Sequence, residues 1–154
     1  MLGYVTDPRA PGGLERRKLD EPVPEGPNQV IVEVRAFAMN RGELHLLGQR
    51  ADGWHPGQDV AGVVVARAAD GSGPPVGTRV VGLADQGGWS ERVCVPSHRV
   101  APLPEAVSFA QGAALPVAGL TALRGLRLGG PLLGRSVLVT GASGGVGTFA
   151  VLLA

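Results

Sequence analysis

Cysteine, lysine and aromatic residues are scarce in this chain of 154 residues, which has three phenylalanines, two tryptophans and one tyrosine. Cys94 is the single cysteine and Lys18 the single lysine. One cysteine excludes an internal disulfide and a cysteine-based zinc cluster. Because Cys94 sits in the alternation Val93-Cys94-Val95, we interpret it as a buried small hydrophobic side chain and not as a reactive thiol.

Strong net charge and long apolar runs are missing as well. The formal net charge is +1, which supplies no electrostatic attraction to nucleic acid or to an acidic membrane surface. No stretch approaches the roughly 20 apolar residues of a membrane-spanning helix. Residues 1–7 also lack the basic and apolar regions of a signal peptide. We therefore expect a soluble, cytoplasmic protein without a nucleic-acid or membrane partner.

The composition is that of a globular protein, with 44% hydrophobic and 18% charged residues. Its 25 glycines and 13 prolines are scattered between short apolar runs, which favours many turns and short strands. The length allows one sound core, and a second only if both are small.

The first hundred residues predict an all-β module. Valines alternate with other residues in Gln29–Arg35, as in a strand with one buried face. The apolar run Val60–Ala66 predicts a strand buried on both faces. Two further strands are predicted at Thr78–Gly82 and Ser90–Val95. Such short strands, separated by turns, favour a small barrel or sandwich.

The pattern changes after Pro104. Ser108 is a plausible N-cap for a helix over 109–115 that Pro116 interrupts, and leucines at near-helical spacing predict another helix over 120–128. Ser136–Thr140 predicts a short strand, followed by a glycine-rich loop and the helix-forming Thr148–Ala154. A boundary between two modules is expected near residues 105 to 135. We expect the second module to be largely absent from this chain, because one strand and one helix cannot form a covered parallel sheet.

The glycine-rich loop is the main functional motif. Gly144, Gly145 and Gly147 lie where the predicted strand turns into a helix, which is the context of a dinucleotide-binding fingerprint. A P-loop is excluded, because no Lys-Ser/Thr pair follows the glycines. The residue that would distinguish NADH from NADPH is expected about 20 residues further on. It would lie after Ala154, so this choice stays open.

Several blocks together resemble the medium-chain dehydrogenase/reductase superfamily along essentially the whole chain. They are Asn40-Arg-Gly-Glu-Leu44, Gly57-Gln-Asp-Val-Ala-Gly-Val-Val64, Val76-Gly-Thr-Arg-Val-Val-Gly82, Gly88-Trp-Ser-Glu-Arg-Val93, Leu115-Pro-Val-Ala-Gly-Leu-Thr-Ala122 and Val137-Leu-Val-Thr-Gly-Ala-Ser-Gly-Gly-Val-Gly147. The resemblance implies a mainly β, GroES-like, partly open barrel, followed by helices and the first βα unit of a truncated Rossmann domain. It predicts a catalytic domain over 1–120 and a linking helix with the start of the Rossmann domain over 121–154.

The resemblance also points to a branch of the superfamily. The three positions that ligate catalytic zinc in the alcohol dehydrogenases fall here on Asn40, Gln58 and Val117, and the hydroxyl of their proton relay falls on Gly42. None of these is a thiolate or imidazole, so the chain resembles the zinc-independent quinone oxidoreductases and enoyl reductases. Without a Lewis acid, quinones and α,β-unsaturated carbonyls are easier hydride acceptors than ketones, because the product anion is delocalised.

The resemblance implies the site residues. Asn40 and Thr121 would lie beside the nicotinamide and act in catalysis. Backbone or hydroxyl donors for the pyrophosphate would come from Ser143, Gly144, Gly145 and Val146. The competing interpretations are an Asn40 that bonds its own turn and a buried Thr121 that bonds helix backbone. Gly147 is expected to allow close packing of helix and strand.

Other polar and aromatic residues are interpreted as structural. Asp59 would pair with an arginine or cap a turn. Trp54 and Trp89 flank loops that could line a substrate mouth, but packing is the preferred interpretation for both. The three histidines lack ligand spacing and are interpreted as surface or loop residues; they are His45, His55 and His98.

The sequence therefore predicts a zinc-independent reductase that transfers hydride from NADPH to a quinone or enone. NADH stays the alternative hydride donor. The proton would come from water, since no convincing general acid is present. Alternatives are a trans-acting enoyl reductase on carrier-bound acyl chains and a truncated, non-catalytic binding module. We expect the 154-residue chain to be inactive alone and the full-length protein to be a homodimer.

Overall fold

A curled antiparallel sheet forms the larger part of the computed structural model, which describes residues 1–154. Its five strands lie in the order β6-β3-β4-β5-β7, and β1 pairs with β2 in a separate hairpin. The strand bounds are β1 Leu2–Thr6, β2 Leu14–Lys18, β3 Gln29–Ala38, β4 Asp59–Ala66, β5 Arg79–Leu83, β6 Arg92–Pro96 and β7 Val100–Pro102. The predicted mainly β, partly open barrel is confirmed.

Valines from neighbouring strands form the core. Six of them have no exposed surface: Val30, Val32, Val60, Val64, Val80 and Val95. Each such side chain stabilises the fold by about 1.5 kcal/mol or more, because its apolar surface leaves water. The predicted alternation in β3 is confirmed, since Val30 and Val32 are fully buried and the flanking Ile31 is not.

Strand β4 is buried on both faces only in its first half. Val60 packs in the main valine core, whereas Ala61 packs on the opposite face in a smaller cluster with Leu103 and Ala113. Val65, near the other end, is 39% exposed. The prediction of a doubly buried strand over Val60–Ala66 is therefore right for its beginning and wrong for its end, where the second cluster no longer covers the sheet.

Four α-helices accompany the sheet, with bounds α1 Arg41–Leu47, α2 Phe109–Ala113, α3 Pro116–Leu128 and α4 Gly145–Leu153. The predicted cap at Ser108 is confirmed, because its side chain accepts from the backbone N–H of Gln111. Pro116 separates α2 from α3 by occupying the first position of α3, where its missing N–H costs no hydrogen bond. None of these helices is long and apolar enough to cross a membrane.

The predicted strand at Ser136–Thr140 is wrong for this chain. The segment pairs with no strand, and Leu138 within it is 90% exposed. Its β-branched residues favour an extended backbone, but a strand also needs a neighbouring strand to pair its N–H and C=O groups. The helix predicted after the glycine-rich loop is present as α4.

Candidate functional site

Asn40 joins β3 to α1 as the N-cap residue of the helix. Its side-chain Oδ1 accepts from the backbone N–H of Glu43 at 2.9 Å. The Glu43 carboxylate accepts in return from the backbone N–H of Asn40 at 3.0 Å, which completes a capping box. The interpretation of Asn40 as a residue that bonds its own turn is therefore observed in the structure. One lone pair on Oδ1 and both Nδ2 hydrogens have no partner in this box.

Glu43 is the most buried acidic residue, with 1% of its surface exposed. Its second oxygen accepts from the backbone N–H of Gln58 at 2.7 Å, so one carboxylate ties the start of α1 to the residue before β4. Burial raises the pKa of Glu43 above its ordinary value. The two backbone N–H groups act against this rise, and the nearby Asp59 charge adds to it.

Asp59 begins β4 and is also buried, with 3% of its surface exposed. Its Oδ1 accepts from the backbone N–H of Val117 at 2.7 Å, and its Oδ2 from Asn40 Nδ2 at the longer distance of 3.5 Å. Of the two roles expected for Asp59, the structure shows the cap and not the arginine pair. Asp59 caps the first turn of α3, where an N–H lacks an intrahelical acceptor. Burial raises the pKa of Asp59, against the lowering effect of these donors.

Thr121 lies one turn further along α3. Its Oγ1 donates to the backbone carbonyl of Val117 at 2.6 Å, and the residue is exposed. The alternative interpretation of Thr121 as a helix threonine that bonds backbone is thus observed, although the residue is not buried. Asn40 bonds Asp59, Asp59 bonds the N–H of Val117, and Thr121 bonds the carbonyl of Val117, so both predicted residues belong to one set of linked contacts.

We call the residues Asn40, Glu43, Gln58, Asp59 and Val117 the capping network. It contains all three positions that the resemblance aligns with zinc ligands. The side chains at these positions are two amides and one aliphatic group, which do not form a zinc donor set. No group of three or more His, Cys, Asp or Glu side chains lies close enough to hold a metal ion.

The glycine-rich loop leads directly into α4, whose N-cap is Gly144. The helical ladder begins with the Thr148 N–H, which donates to the Gly144 carbonyl at 2.8 Å. The preceding N–H groups at Gly145 and Val146 belong to the first turn, where donors lack intrahelical acceptors. Ser143 and these residues are exposed. The loop therefore presents free donors at the positive end of a helix dipole, as anion binding requires.

Gly147 explains how the loop keeps its shape. It is buried, and a Cβ at this position would overlap the carbonyl oxygen of Gly141 and approach the backbone of Ala142. The close packing expected at Gly147 is observed. Gly147 packs against the backbone of the glycine-rich loop and not against a paired strand. Gly141 itself has a φ of 66°, a left-handed conformation that favours glycine.

Helices α3 and α4 hold the loop beside the capping network. A Cβ built on Gly145 would lie 3.7 Å from the Ala118 Cβ, and one built on Gly119 would lie 3.9 Å from the Phe149 ring. The first turn of α3, which Asp59 caps, is therefore in van der Waals range of the start of α4.

A large apolar groove lies elsewhere. It has a volume of about 850 Å³ and runs between β5, β7, α3 and α4. Apolar side chains such as Leu115, Leu123 and Phe149 line it, and none of the predicted site residues does. We therefore place the candidate site by its hydrogen-bonding groups and not by groove size.

The remaining residues behave largely as the sequence indicated. Trp89 is 2% exposed and stacks on Phe37 with ring centroids 5.7 Å apart, which confirms packing. Trp54 donates its Nε1 hydrogen to Gln86 at 3.0 Å. The three histidines form no cluster. Cys94 is half-buried, and burial raises the pKa of its thiol.

Comparison with known proteins identifies the family. The family model of the alcohol dehydrogenase GroES-like domain matches residues 26–105. The spectinabilin polyketide synthase system protein NorB of Streptomyces orinoci is 46% identical over 134 residues, which are 85% of this chain and 6% of that protein. The trans-enoyl reductase tazE of Aspergillus terreus is 36% identical over 172 aligned positions, covering 94% of this chain and 55% of tazE.

A solved enzyme structure is also similar to this chain. The quinone oxidoreductase from Thermus thermophilus, solved alone and in complex with NADPH, is 35% identical with a TM-score of 0.77. The match covers 99% of this chain and 49% of that one, so the present chain spans about half the length of such enzymes. The chain belongs to the alcohol dehydrogenase GroES-like domain family, within the quinone oxidoreductase and enoyl reductase branch of the medium-chain dehydrogenase/reductase superfamily.

Proposed function

We propose that this chain forms the substrate-binding and nicotinamide-contacting part of a zinc-independent NADPH-dependent reductase of quinones or α,β-unsaturated carbonyls. The observation that carries the proposal is the set of linked contacts from Asn40 to Thr121 on α3, which packs against the glycine-rich loop of α4. NADH is the alternative cofactor, since none of residues 1–154 is predicted to contact the ribose 2′ position that distinguishes NADPH from NADH.

The donor set supports an acceptor that needs no Lewis acid. Asn40 and Gln58 offer amide groups and Val117 only an aliphatic side chain at the positions where zinc would be held. Amides can donate hydrogen bonds to a carbonyl oxygen but supply no full positive charge to an alkoxide. Conjugated acceptors spread the incoming charge over several atoms and so match this weaker stabilisation.

The loop supports binding of the dinucleotide. Gly145 and Val146 would hold the pyrophosphate through their free N–H groups at the start of α4, and Ser143 through its hydroxyl. The predicted N–H donor at Gly144 is not free, because it donates to the Gly141 carbonyl at 3.0 Å. When bound, the nicotinamide supplies the hydride. Asn40 and Thr121 would orient its ring against the acceptor carbon, and water would deliver the proton.

The domain division proposed from the sequence places residues 1–120 in a catalytic domain and 121–154 at the start of a Rossmann domain. Large apolar side chains are exposed in the second part, among them Leu133 at 101%, Leu138 at 90% and Leu152 at 75%. We propose that catalysis also needs a segment that covers this surface and completes the dinucleotide-binding sheet. A cytoplasmic homodimer stays our expectation for the assembled enzyme.

NADPH oxidation by the protein as its host produces it tests the proposal. We expect oxidation that depends on an added quinone or enone and that persists after treatment with a zinc chelator. The variant Asn40→Ser keeps an N-cap acceptor for α1 but removes the amide. It should lower kcat/KM at least tenfold with little change in melting temperature. Absence of NADPH oxidation, or unchanged kinetics in Asn40→Ser, would contradict the proposed site.

A second candidate substrate is an acyl chain carried as a thioester. The observation that favours it is the similarity to the polyketide synthase protein NorB and to the trans-enoyl reductase tazE. Comparing kcat/KM for an enoyl thioester with that for a free quinone distinguishes the two. A preference of tenfold or more for the thioester would assign enoyl reduction, and the reverse preference would assign quinone reduction.

The third possibility is a non-catalytic binding module. Intact-mass measurement of the native protein separates it from the enzyme. A mass near 15.7 kDa would equal this chain alone. It would indicate that a separate partner chain completes the sheet. A mass about twice as large would agree with an enzyme of the length of the matched quinone oxidoreductase.

A further inference from the structure

Asp59 makes two contacts that no local structural role requires together. A single acceptor would be enough to cap α3, yet the carboxylate bonds both the Val117 N–H at 2.7 Å and the Asn40 amide at 3.5 Å. These partners lie 58 and 19 residues away in sequence. Asp59 is thus the common point between the start of α1 and the start of α3.

The Asn40 amide has two possible orientations, which exchange its oxygen and nitrogen. In the observed orientation, Oδ1 faces the Glu43 N–H at 2.9 Å and Nδ2 faces the Asp59 carboxylate. Exchange would place an oxygen against a carboxylate and an NH₂ group against an N–H. Both contacts would then be repulsive, so Glu43 and Asp59 together select one orientation.

We propose that Asp59 is a positioning residue that sets which atoms Asn40 presents to the ligand and where α3 presents Thr121. The inference rests on the proposed function, because the ligand in question is the nicotinamide end of the cofactor or the acceptor carbonyl. With the orientation set, Asn40 keeps one N–H donor and one oxygen lone pair free. Through Val117, the same carboxylate fixes the turn that carries the Thr121 hydroxyl.

The substitution Asp59→Asn separates the two contacts. An asparagine oxygen can still accept from the Val117 N–H, so the cap of α3 is kept. Its NH₂ group, however, would face the NH₂ group of Asn40, and the selected orientation is lost. Asp59→Ala removes both contacts, and the exposed Asp20→Asn serves as the matched control.

Three measurements on the protein as its host produces it decide the role. Amide hydrogen exchange should leave Val117 within about threefold of wild type in Asp59→Asn and accelerate it at least tenfold in Asp59→Ala. The KM for NADPH should rise at least fivefold, with a fall in kcat, in Asp59→Asn. Asp20→Asn should match wild type in all three measurements.

A stability cycle tests the contact without any turnover. Asn40→Asp keeps an N-cap acceptor but places a second carboxylate against Asp59, so its melting temperature should fall. The double variant N40D/D59N restores a carboxylate–amide pair with its ends exchanged and should regain most of that loss. This cycle keeps the inference testable even if Asp59→Asn alone does not fold.

The outcomes distinguish failure of the positioning role of Asp59 from failure of the proposed function. If wild type oxidises NADPH but Asp59→Asn keeps its KM and kcat, Asp59 is a structural cap only and the inference is overturned. A double variant no more stable than Asn40→Asp would overturn the contact itself. If wild type neither binds nor oxidises NADPH, the proposed function fails, and the positioning role fails with it.

Discussion

Removal of the Glu43 side chain is the perturbation whose size follows most directly from the structure. Glu43→Ala leaves the backbone N–H groups of Asn40 and Gln58 without their acceptor. Both N–H groups are part-buried, and a fully buried N–H that loses its partner costs about 1–3 kcal/mol. The sum is reduced because the substitution also removes a carboxylate that burial keeps at a raised pKa. We expect a net loss of about 2–4 kcal/mol in the free energy of unfolding.

Urea denaturation of the 154-residue chain, followed by tryptophan fluorescence, measures this loss. Glu105→Ala is the matched control, since Glu105 is exposed, and it should change stability by less than about 0.5 kcal/mol. A Glu43→Ala variant within about 0.5 kcal/mol of wild type would refute the reasoning, because its two N–H groups would then have found other acceptors or water.

Three further predictions concern the loop, the hairpin and the thiol. Gly147→Ala should weaken NADPH affinity at least tenfold, measured by fluorescence titration, because its Cβ would displace the loop at Gly141; Gly125→Ala, with open space around it, should leave affinity unchanged. Hydrogen bonds from Arg9 lower the pKa of Asp7 below its ordinary 3.8, so Asp7 contributes stability above that pH and loses it as the pH falls. Asp7→Asn should therefore lower the urea midpoint at pH 7 and lower it less at pH 2; equal loss at both would contradict this sign. Because burial raises the pKa of Cys94 above 9.0, iodoacetamide at pH 8 should alkylate it at least tenfold more slowly than in the urea-unfolded chain, as mass spectrometry can follow.

Much of the sheet could be predicted because its signals are local. The valines of β3 alternate with a period of two, and their burial follows from that period. The cap at Ser108 is similarly local, since Gln111 lies three residues later. Helix α1 was not predicted, although Asn40 and Glu43 carry the same three-residue signal for a capping box.

The capping network depends on contacts that local patterns do not encode. Asp59 meets Val117 across 58 residues, and only the folded sheet and α3 bring them together. The family resemblance points to Asn40 and Thr121 as site residues but implies no role for Glu43. The predicted strand at Ser136–Thr140 failed for the related reason that strand propensity supplies no pairing partner.

Transfer of a labelled hydride tests the central claim most directly. The protein as its host produces it would be incubated with NADPH deuterated at C4 of the nicotinamide and with an α,β-unsaturated ketone, and the product examined by mass spectrometry. We predict one deuterium at the carbon β to the carbonyl, with transfer that needs no added zinc and is strongly reduced in Asn40→Ser. A product without deuterium, or transfer only after zinc is supplied, would contradict it.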